Sequence, residues 1–182
     1  VLKHIDLKSL EKMMEIKYKP TTFYPFKTIE KRDQKCVIVN DKNFSFLYHD
    51  NLEYLKELYK EVVVVDSTKD EMIPKDADMV VIVGGYVETQ ESYDSVKNSS
   101  HFKNSLINYA NNNKPIYAEC AGLIYLSKKI DDKMMSGILD IELKLSTKRE
   151  RLGYYKAINY KTKQVQKGHA FHYSKIISAP KG

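Results

Sequence analysis

The sequence predicts an α/β fold, in which an open and mostly parallel sheet is covered by helices. Its β-branched runs, each bounded by turn residues, are typical of buried parallel strands. Segments with apolar residues at helical spacing separate several of these runs, and this alternation is the usual order of an α/β sheet. At 182 residues, the chain is also long enough for one domain with a proper core. The predicted strands are Cys36–Asn40, Val62–Val65, Asp78–Val83 and Pro115–Ala118.

The first 34 residues differ from the rest. Ile5–Ile16 has apolar residues at helical spacing and predicts an amphipathic helix. Lys17–Asp33 contains two prolines and little periodicity, which predicts a linker. The compact part of the chain is therefore expected to begin at Lys35.

Helices and antiparallel strands complete the predicted fold. Asn51–Glu61 predicts a helix with Asp50 or Asn51 as its N-cap, and His101–Asn112 predicts another. Towards the C-terminus, alternating segments with short connections predict antiparallel strands appended to the sheet. The overall prediction is a flavodoxin-like open sheet with helices on both faces. The alternating segments are Gly137–Leu145, Gly153–Tyr160 and Val165–Tyr173.

Composition excludes several classes of function. The net charge is +6, but its 30 basic residues are spread among 24 acidic ones without a dense basic run, so nucleic-acid binding is not favoured. No apolar run approaches the roughly 18 residues of a membrane span. Cys36 and Cys120 lack metal-ligand spacing, which predicts no metal site and fits a cytoplasmic protein. No G-x-x-x-x-G-K-[ST] phosphate loop occurs in the sequence.

One bend in the chain is suited to nucleophilic chemistry. The predicted strand Pro115–Ala118 runs almost directly into a helix that begins near Ala121, with Cys120 between them. A residue at such a strand–helix elbow is strained and exposed. The positive end of the helix favours a thiolate there. The alternative is a buried structural cysteine, because free cysteine is among the most buried residue types.

A cysteine nucleophile needs a base and an oxyanion site. Of five histidines in the sequence, His169 and His172 lie three apart in a short aromatic segment, so one of them could face Cys120; surface histidines are the alternative. Backbone N–H groups at Gly84–Gly85 and at Ala121 could stabilise an oxyanion, although a glycine pair can also be a plain turn. The other histidines are His4, His49 and His101.

Four ordered blocks carry a resemblance to a known family. They are VGGYVE at Val83–Glu88, YAECAGLIYL at Tyr117–Leu126, RLGY at Arg151–Tyr154 and GHAFHYS at Gly168–Ser174. Together they resemble the C-terminal glutaminase domain of cobyrinic acid a,c-diamide synthases, within the cobyric-acid-synthase-like class I glutamine amidotransferases.

This resemblance implies a division of labour. Cys120 would attack glutamine to give a thioester and ammonia, with His172 rather than His169 as the catalytic histidine. Gly84, Gly85 and Ala121 match oxyanion or substrate-binding positions. The ammonia would serve a synthetase domain that uses ATP and Mg²⁺ to amidate the a and c carboxylates of a corrinoid in cobalamin biosynthesis. The resemblance also allows a homodimer.

The sequence departs from the family pattern at several positions. Ala121 stands where glycine is usual, and Val87 where proline is common. Ser174 replaces the glutamate of the wider class, so the group that orients His172 is not identified. Glu119 is expected to point away from Cys120, by strand alternation, and is a poor candidate for that group.

The resemblance also bears on domains and rival functions. Residues 1–34 are expected to be the end of an absent synthetase domain, and 35–182 a glutaminase domain that stops short of its last strand. One rival is a glutaminase for nickel sirohydrochlorin, a cobyric acid precursor or a cell-wall lipid. A cysteine hydrolase or chaperone is disfavoured, since it should carry histidine directly after the nucleophile, where Ala121 stands. The third rival is a non-catalytic docking module.

Overall fold

The computed structural model describes residues 5–15 and 29–180. The predicted N-terminal helix is present as α1, Leu7–Met14, and its N-cap Asp6 accepts a hydrogen bond from the Ser9 N–H at 3.2 Å. None of its residues is buried. Most of the predicted linker lies outside the described residues, so the expected boundary at Lys35 stays a prediction.

Four parallel strands form the central sheet, in the order β2-β1-β3-β4. The middle strands β1 and β3 are buried on both faces at their carboxyl halves, which explains why both are runs of valine and isoleucine. The register places Val80 beside Val37 on one side and beside Ile116 on the other. The predicted parallel sheet is confirmed. The strands are β1 Arg32–Val39, β2 Tyr59–Val65, β3 Met79–Ile82 and β4 Ile116–Ala118.

The helices correct the prediction in detail. The helix expected over Asn51–Glu61 is α2, His49–Leu58, and its N-cap is Tyr48 rather than Asp50 or Asn51. It ends early because β2 begins at Tyr59, which extends the strand expected at Val62. Helix α3, which Thr89 caps by accepting a hydrogen bond from the Ser92 N–H at 3.3 Å, was not predicted from the sequence. The others are α3 Gln90–Lys97, α4 Ser100–Asn111 and α5 Ala121–Leu126, with a 3-10 turn at Ser67–Lys69.

The C-terminal strands form sheets of their own rather than extending the parallel sheet. β10, β7, β5 and β6 pair in that order, with antiparallel outer pairs and a parallel β5–β7 pair. β8 and β9 form a separate antiparallel hairpin. The expected strand Gly137–Leu145 is confined to Glu142–Leu145. The strands are β5 Lys129–Ile130, β6 Lys133–Met134, β7 Glu142–Leu145, β8 Arg151–Ile158, β9 Val165–His172 and β10 Ser174–Ser178.

The β8–β9 hairpin is exposed along most of its length. On the face opposite to that of His172, Tyr154 is 91% exposed and pairs with His169, while Lys156 pairs with Lys167. Residues 148–180 hold eight Lys or Arg side chains against one acidic side chain. The excess positive charge of the chain is therefore concentrated in this segment, whereas the composition suggested an even spread.

Replacement of Gly122 should destabilise the fold, because α5 lies against β3 at this position. A Cβ atom there would be 2.7 Å from the Ile82 carbonyl oxygen. Alanine improves helix propensity by about 1 kcal/mol, but overpacking costs about 1–3 kcal/mol, so Gly122→Ala should lower the urea midpoint. Gly168→Ala is the matched control, since a Cβ there meets nothing within 4 Å. Equal midpoints for the two variants would contradict this packing.

Tyr125→Phe should instead stabilise the protein. Tyr125 is 2% exposed, and its hydroxyl has no hydrogen-bond partner among the described residues. Because an unsatisfied buried hydroxyl costs about 1–3 kcal/mol, we expect the free energy of unfolding to rise by about 1 kcal/mol. Tyr109→Phe is the control and should give no gain, since the Tyr109 hydroxyl donates to Pro115 O at 3.4 Å.

The stability of the Tyr125→Phe variant can also be compared with that of wild type as the pH rises. Burial raises the pKa of Tyr125 above its ordinary value of 10.0. The unfolded chain then loses its proton first, so this contribution to stability is present below about pH 10 and is lost above it. Urea unfolding at pH 8 and pH 10.5 should therefore show a smaller alkaline loss for Tyr125→Phe than for wild type. An unchanged alkaline loss would mean that this hydroxyl titrates normally in the folded protein.

Candidate active site

The structure holds Cys120 at a sharp strand–helix elbow. Its backbone has φ 48° and ψ −110°, a left-handed conformation that costs a non-glycine residue energy. The flanking backbone is fixed on both sides. The Glu119 N–H donates to Ile82 O at 3.1 Å, and the Gly122 N–H donates to Glu119 O at 2.7 Å. The predicted position and strain of the elbow are therefore present.

Cys120 and Cys36 lie in opposite environments. Cys120 is exposed, so the structural-cysteine alternative does not apply to it. Cys36 has no exposed surface in β1, and burial raises the pKa of its thiol to about 11. Cys120 is therefore the accessible thiol of the pair.

The Gly84–Gly85 turn lies directly beside the thiol. Cys120 Sγ contacts Gly85 O at 3.9 Å. A Cβ on Gly85 would be 2.0 Å from Asn43 O, so only glycine permits this close approach of two loops. The Tyr86 N–H donates a hydrogen bond to Asn43 O at 2.8 Å. Within the described part of the chain, the N–H groups of Gly85 and Ala121 have no hydrogen-bond partner.

His172 lies at the end of β9 and is half-buried. Its Nδ1 is 2.8 Å from Ser174 O. A carbonyl oxygen only accepts hydrogen bonds, so Nδ1 must carry the proton, and Nε2 of the neutral ring keeps its lone pair. The backbone of Ser174 thus orients the ring at the position where the wider class uses a glutamate side chain.

Cys120 and His172 both line a cavity of about 910 Å³, together with Leu123 and Ile124 of α5. No hydrogen bond joins Cys120 Sγ to the His172 ring among the described residues. A small substrate in this cavity therefore has access to both a thiol and an imidazole.

The other histidines are placed differently. The ring of His169 lies edge-on to Tyr154, with centroids 5.4 Å apart, on the strand face opposite to that of His172. His169 also contributes to the lining of the cavity. His101 bonds Asp70 at 2.6 Å, and His49 begins α2 rather than lying in the expected loop. His4 lies outside the described residues.

Glu119 does not point away from the site, as strand alternation predicted. It lines the same cavity as Cys120, because β4 ends at Ala118 and the left-handed backbone of Cys120 breaks the alternation. With Tyr117 it also lines a second cavity, beside α2. The Tyr117 hydroxyl donates to Glu119 Oε1 at 2.5 Å. This hydrogen bond, followed by burial, raises the pKa of Tyr117 to about 12. Tyr117 was not predicted as a site residue, although residues two apart in a strand share a face.

Comparison with known families identifies the domain. The sequence profile of the CobB/CobQ-like glutamine amidotransferase domain matches residues 35–182. The chain belongs to this family.

Curated relatives and solved structures agree with the family. The chain is 32% identical to a cobyrinate a,c-diamide synthase of Caldanaerobacter subterraneus, over 92% of this chain and 39% of that protein. It is 31% identical to a second one, from Archaeoglobus fulgidus, over 96% of this chain and 40% of that protein. The chain thus spans about two-fifths of the length of these two relatives. The resemblance found in the sequence motifs is confirmed.

Two solved structures share the fold. One is a glutamine amidotransferase with a TM-score of 0.58 and 15% identity, covering 80% of this chain and 76% of that one. The other is a glutamine amidotransferase from Thermotoga maritima with a TM-score of 0.56 and 15% identity, covering 82% of this chain and 64% of that one. The predicted fold class is therefore confirmed.

The described residues contain neither a membrane-spanning helix nor a metal-binding group. No helix among them is long and apolar enough to cross a membrane. Over the same ranges, no three His, Cys, Asp or Glu side chains lie together as a metal-binding group.

The two cysteines should differ sharply in reactivity. At pH 8, iodoacetamide should alkylate Cys120 long before Cys36, because Cys36 is inaccessible and its pKa of about 11 leaves little thiolate. Peptide mass spectrometry after timed quenching measures both rates. In the control, Cys120→Ser should leave only slow labelling, and unfolding in urea should equalise the two sites. Comparable rates in the folded protein would contradict the placement of Cys36.

Proposed function

We propose that this domain hydrolyses glutamine to glutamate and ammonia through a thioester on Cys120. The observation that carries the proposal is the exposed, left-handed elbow at Cys120, which opens into a cavity that His172 also lines. Membership of a glutamine amidotransferase family supplies the substrate class.

The reaction would use the chain's own groups. The Cys120 thiolate attacks the amide carbon, and the resulting oxyanion is stabilised by the N–H groups of Gly85 and Ala121, with Gly84 shaping the turn. In a comparable enzyme, loss of one such donor costs about 2.7–4 kcal/mol of barrier. His172 Nε2, which has taken the proton of the Cys120 thiol, gives that proton to the leaving nitrogen as the C–N bond breaks, so that ammonia leaves and the acyl group stays on sulfur. Water then cleaves the thioester, which releases glutamate and restores the thiol.

We propose further that the ammonia serves amidation of the a and c carboxylates of cobyrinic acid in cobalamin biosynthesis. Support comes from the two relatives above, each named cobyrinate a,c-diamide synthase. Because this chain spans about two-fifths of their length, the amidating chemistry is assigned to another portion of the protein, where ATP and Mg²⁺ would bind. A glutaminase of this family that serves a different acceptor is the alternative.

Substitution of the two histidines of β9 tests the catalytic assignment. Cys120→Ser should abolish glutamine hydrolysis, and His172→Gln should lower kcat by about 10²–10⁴, the usual contribution of a general acid or base. His169→Gln is the matched control and should keep wild-type activity, because the His169 ring also lies at the cavity but packs edge-on against Tyr154. Glutamate release, measured with the full-length protein during turnover of the synthetase reaction, checks all three.

Two outcomes would contradict the proposal in different ways. Equal activity of the His172→Gln and His169→Gln variants would assign the base to a residue elsewhere in the full-length protein. No glutamate release by wild type, even while the synthetase works with free ammonia, would favour a non-catalytic docking domain.

A further inference from the structure

Glu119 is held rigidly beside the nucleophile. Its N–H donates to Ile82 O at 3.1 Å and its carbonyl accepts from Gly122 at 2.7 Å, so its backbone is fixed between β3 and the first turn of α5. Its side chain accepts a hydrogen bond from the Tyr117 hydroxyl at 2.5 Å. Such a doubly anchored carboxylate is preorganised for binding.

Only part of this carboxylate is used within the protein. Tyr117 donates to Oε1. A carboxylate has about four acceptor sites on its two oxygens, and no other hydrogen bond to this side chain is present among the described residues. The raised pKa of Tyr117 keeps its phenol protonated as the donor. Glu119 therefore retains acceptor capacity towards the cavity that it lines.

The charges of the cavity are divided between its walls. Glu119 lies on the wall that carries Cys120, whereas Arg151, Lys167 and Lys175 lie on the wall formed by the C-terminal strands. The second acidic residue of the lining, Glu150, already contacts the Ser146 hydroxyl. An amino acid zwitterion needs an anion for its ammonium group and a cation for its carboxylate, and this cavity presents both.

We propose that Glu119, positioned by Tyr117, binds the α-ammonium group of glutamine while Cys120 attacks the side-chain amide. This assignment rests on the proposed glutaminase function and adds the group that recognises the substrate as an amino acid. Glu119 and Cys120 line the same cavity, so the two side chains can contact the two ends of one small substrate. Amides that lack the α-amino group would lose this contact.

The alternative is that Glu119 and Tyr117 only brace the elbow. A brace would affect every reaction of Cys120 alike, whereas an ammonium-binding group affects only substrates that carry an amine. The test therefore compares reagents that differ in that group alone.

The experiment measures alkylation of Cys120 by two diazoketones in the full-length protein. The first is 6-diazo-5-oxo-L-norleucine, and the second, 6-diazo-5-oxohexanoate, lacks the α-amino group. In each case the sulfur bonds to the terminal carbon, which takes up a proton as dinitrogen leaves. Intact-protein mass spectrometry gives the second-order rate constants, and iodoacetamide reports the general reactivity of the thiol.

We expect wild type to react faster with the amino reagent than with its analogue. Glu119→Gln should slow the amino reagent by about 10-fold or more, as expected for loss of one charge-assisted hydrogen bond, and should leave the analogue and iodoacetamide unchanged. Tyr117→Phe keeps the carboxylate but removes its anchor, so it should slow the amino reagent by a smaller factor.

Three results would overturn the assignment. If Glu119→Gln slows all three reagents equally, the residue is a structural brace. If it slows none, the ammonium is bound elsewhere, and the glutaminase proposal stands. If wild type reacts with iodoacetamide but with neither diazoketone, the glutaminase proposal itself fails and this assignment fails with it.

Discussion

The candidate site depends on the left-handed backbone of Cys120. Two hydrogen bonds hold it. The Glu119 N–H donates to Ile82 O at the C-terminal end of β3, and the Gly122 N–H donates to Glu119 O. Without them, residue 120 would relax towards an ordinary extended or helical conformation, because a positive φ is unfavourable for a residue with a Cβ atom. The sheet thus supplies the energy that keeps the thiol exposed.

Close backbone packing supports the same constraint. Gly122 lets α5 lie directly on Ile82, and Gly85 lets its loop meet Asn43. Both contacts leave no room for a side chain. They bring the thiol, two N–H groups and a cavity into one place, and among residues 5–15 and 29–180 no charged side chain is buried in the core.

The sequence was sufficient for the parts of the molecule with strong local signals. The β-branched runs located the parallel strands, and the strand–helix junction located Cys120. The predicted N-cap of α2 was wrong. Asp50 and Asn51 are both typical capping residues, but the helix begins earlier, after Tyr48. α3 was missed since its apolar periodicity is weak in QESYDSVK.

The site was predictable only in its residue types. Strand alternation placed Glu119 on the wrong side, because one left-handed residue reverses the expected direction. The Ser174 carbonyl that orients His172 has no sequence signal, since every residue has a carbonyl. The Tyr117–Glu119 contact was within reach of the sequence, whereas its position beside the cavity required the fold.

The hairpin that carries His172 has a further property. Lys156 lies directly opposite Lys167 in the β8–β9 register, and like charges placed so destabilise a strand pair. Dissolved salt screens such repulsion, with a range of about 8 Å at physiological ionic strength. The stability of the hairpin that forms one wall of the cavity, and with it the position of the His172 ring, therefore depends on ionic strength.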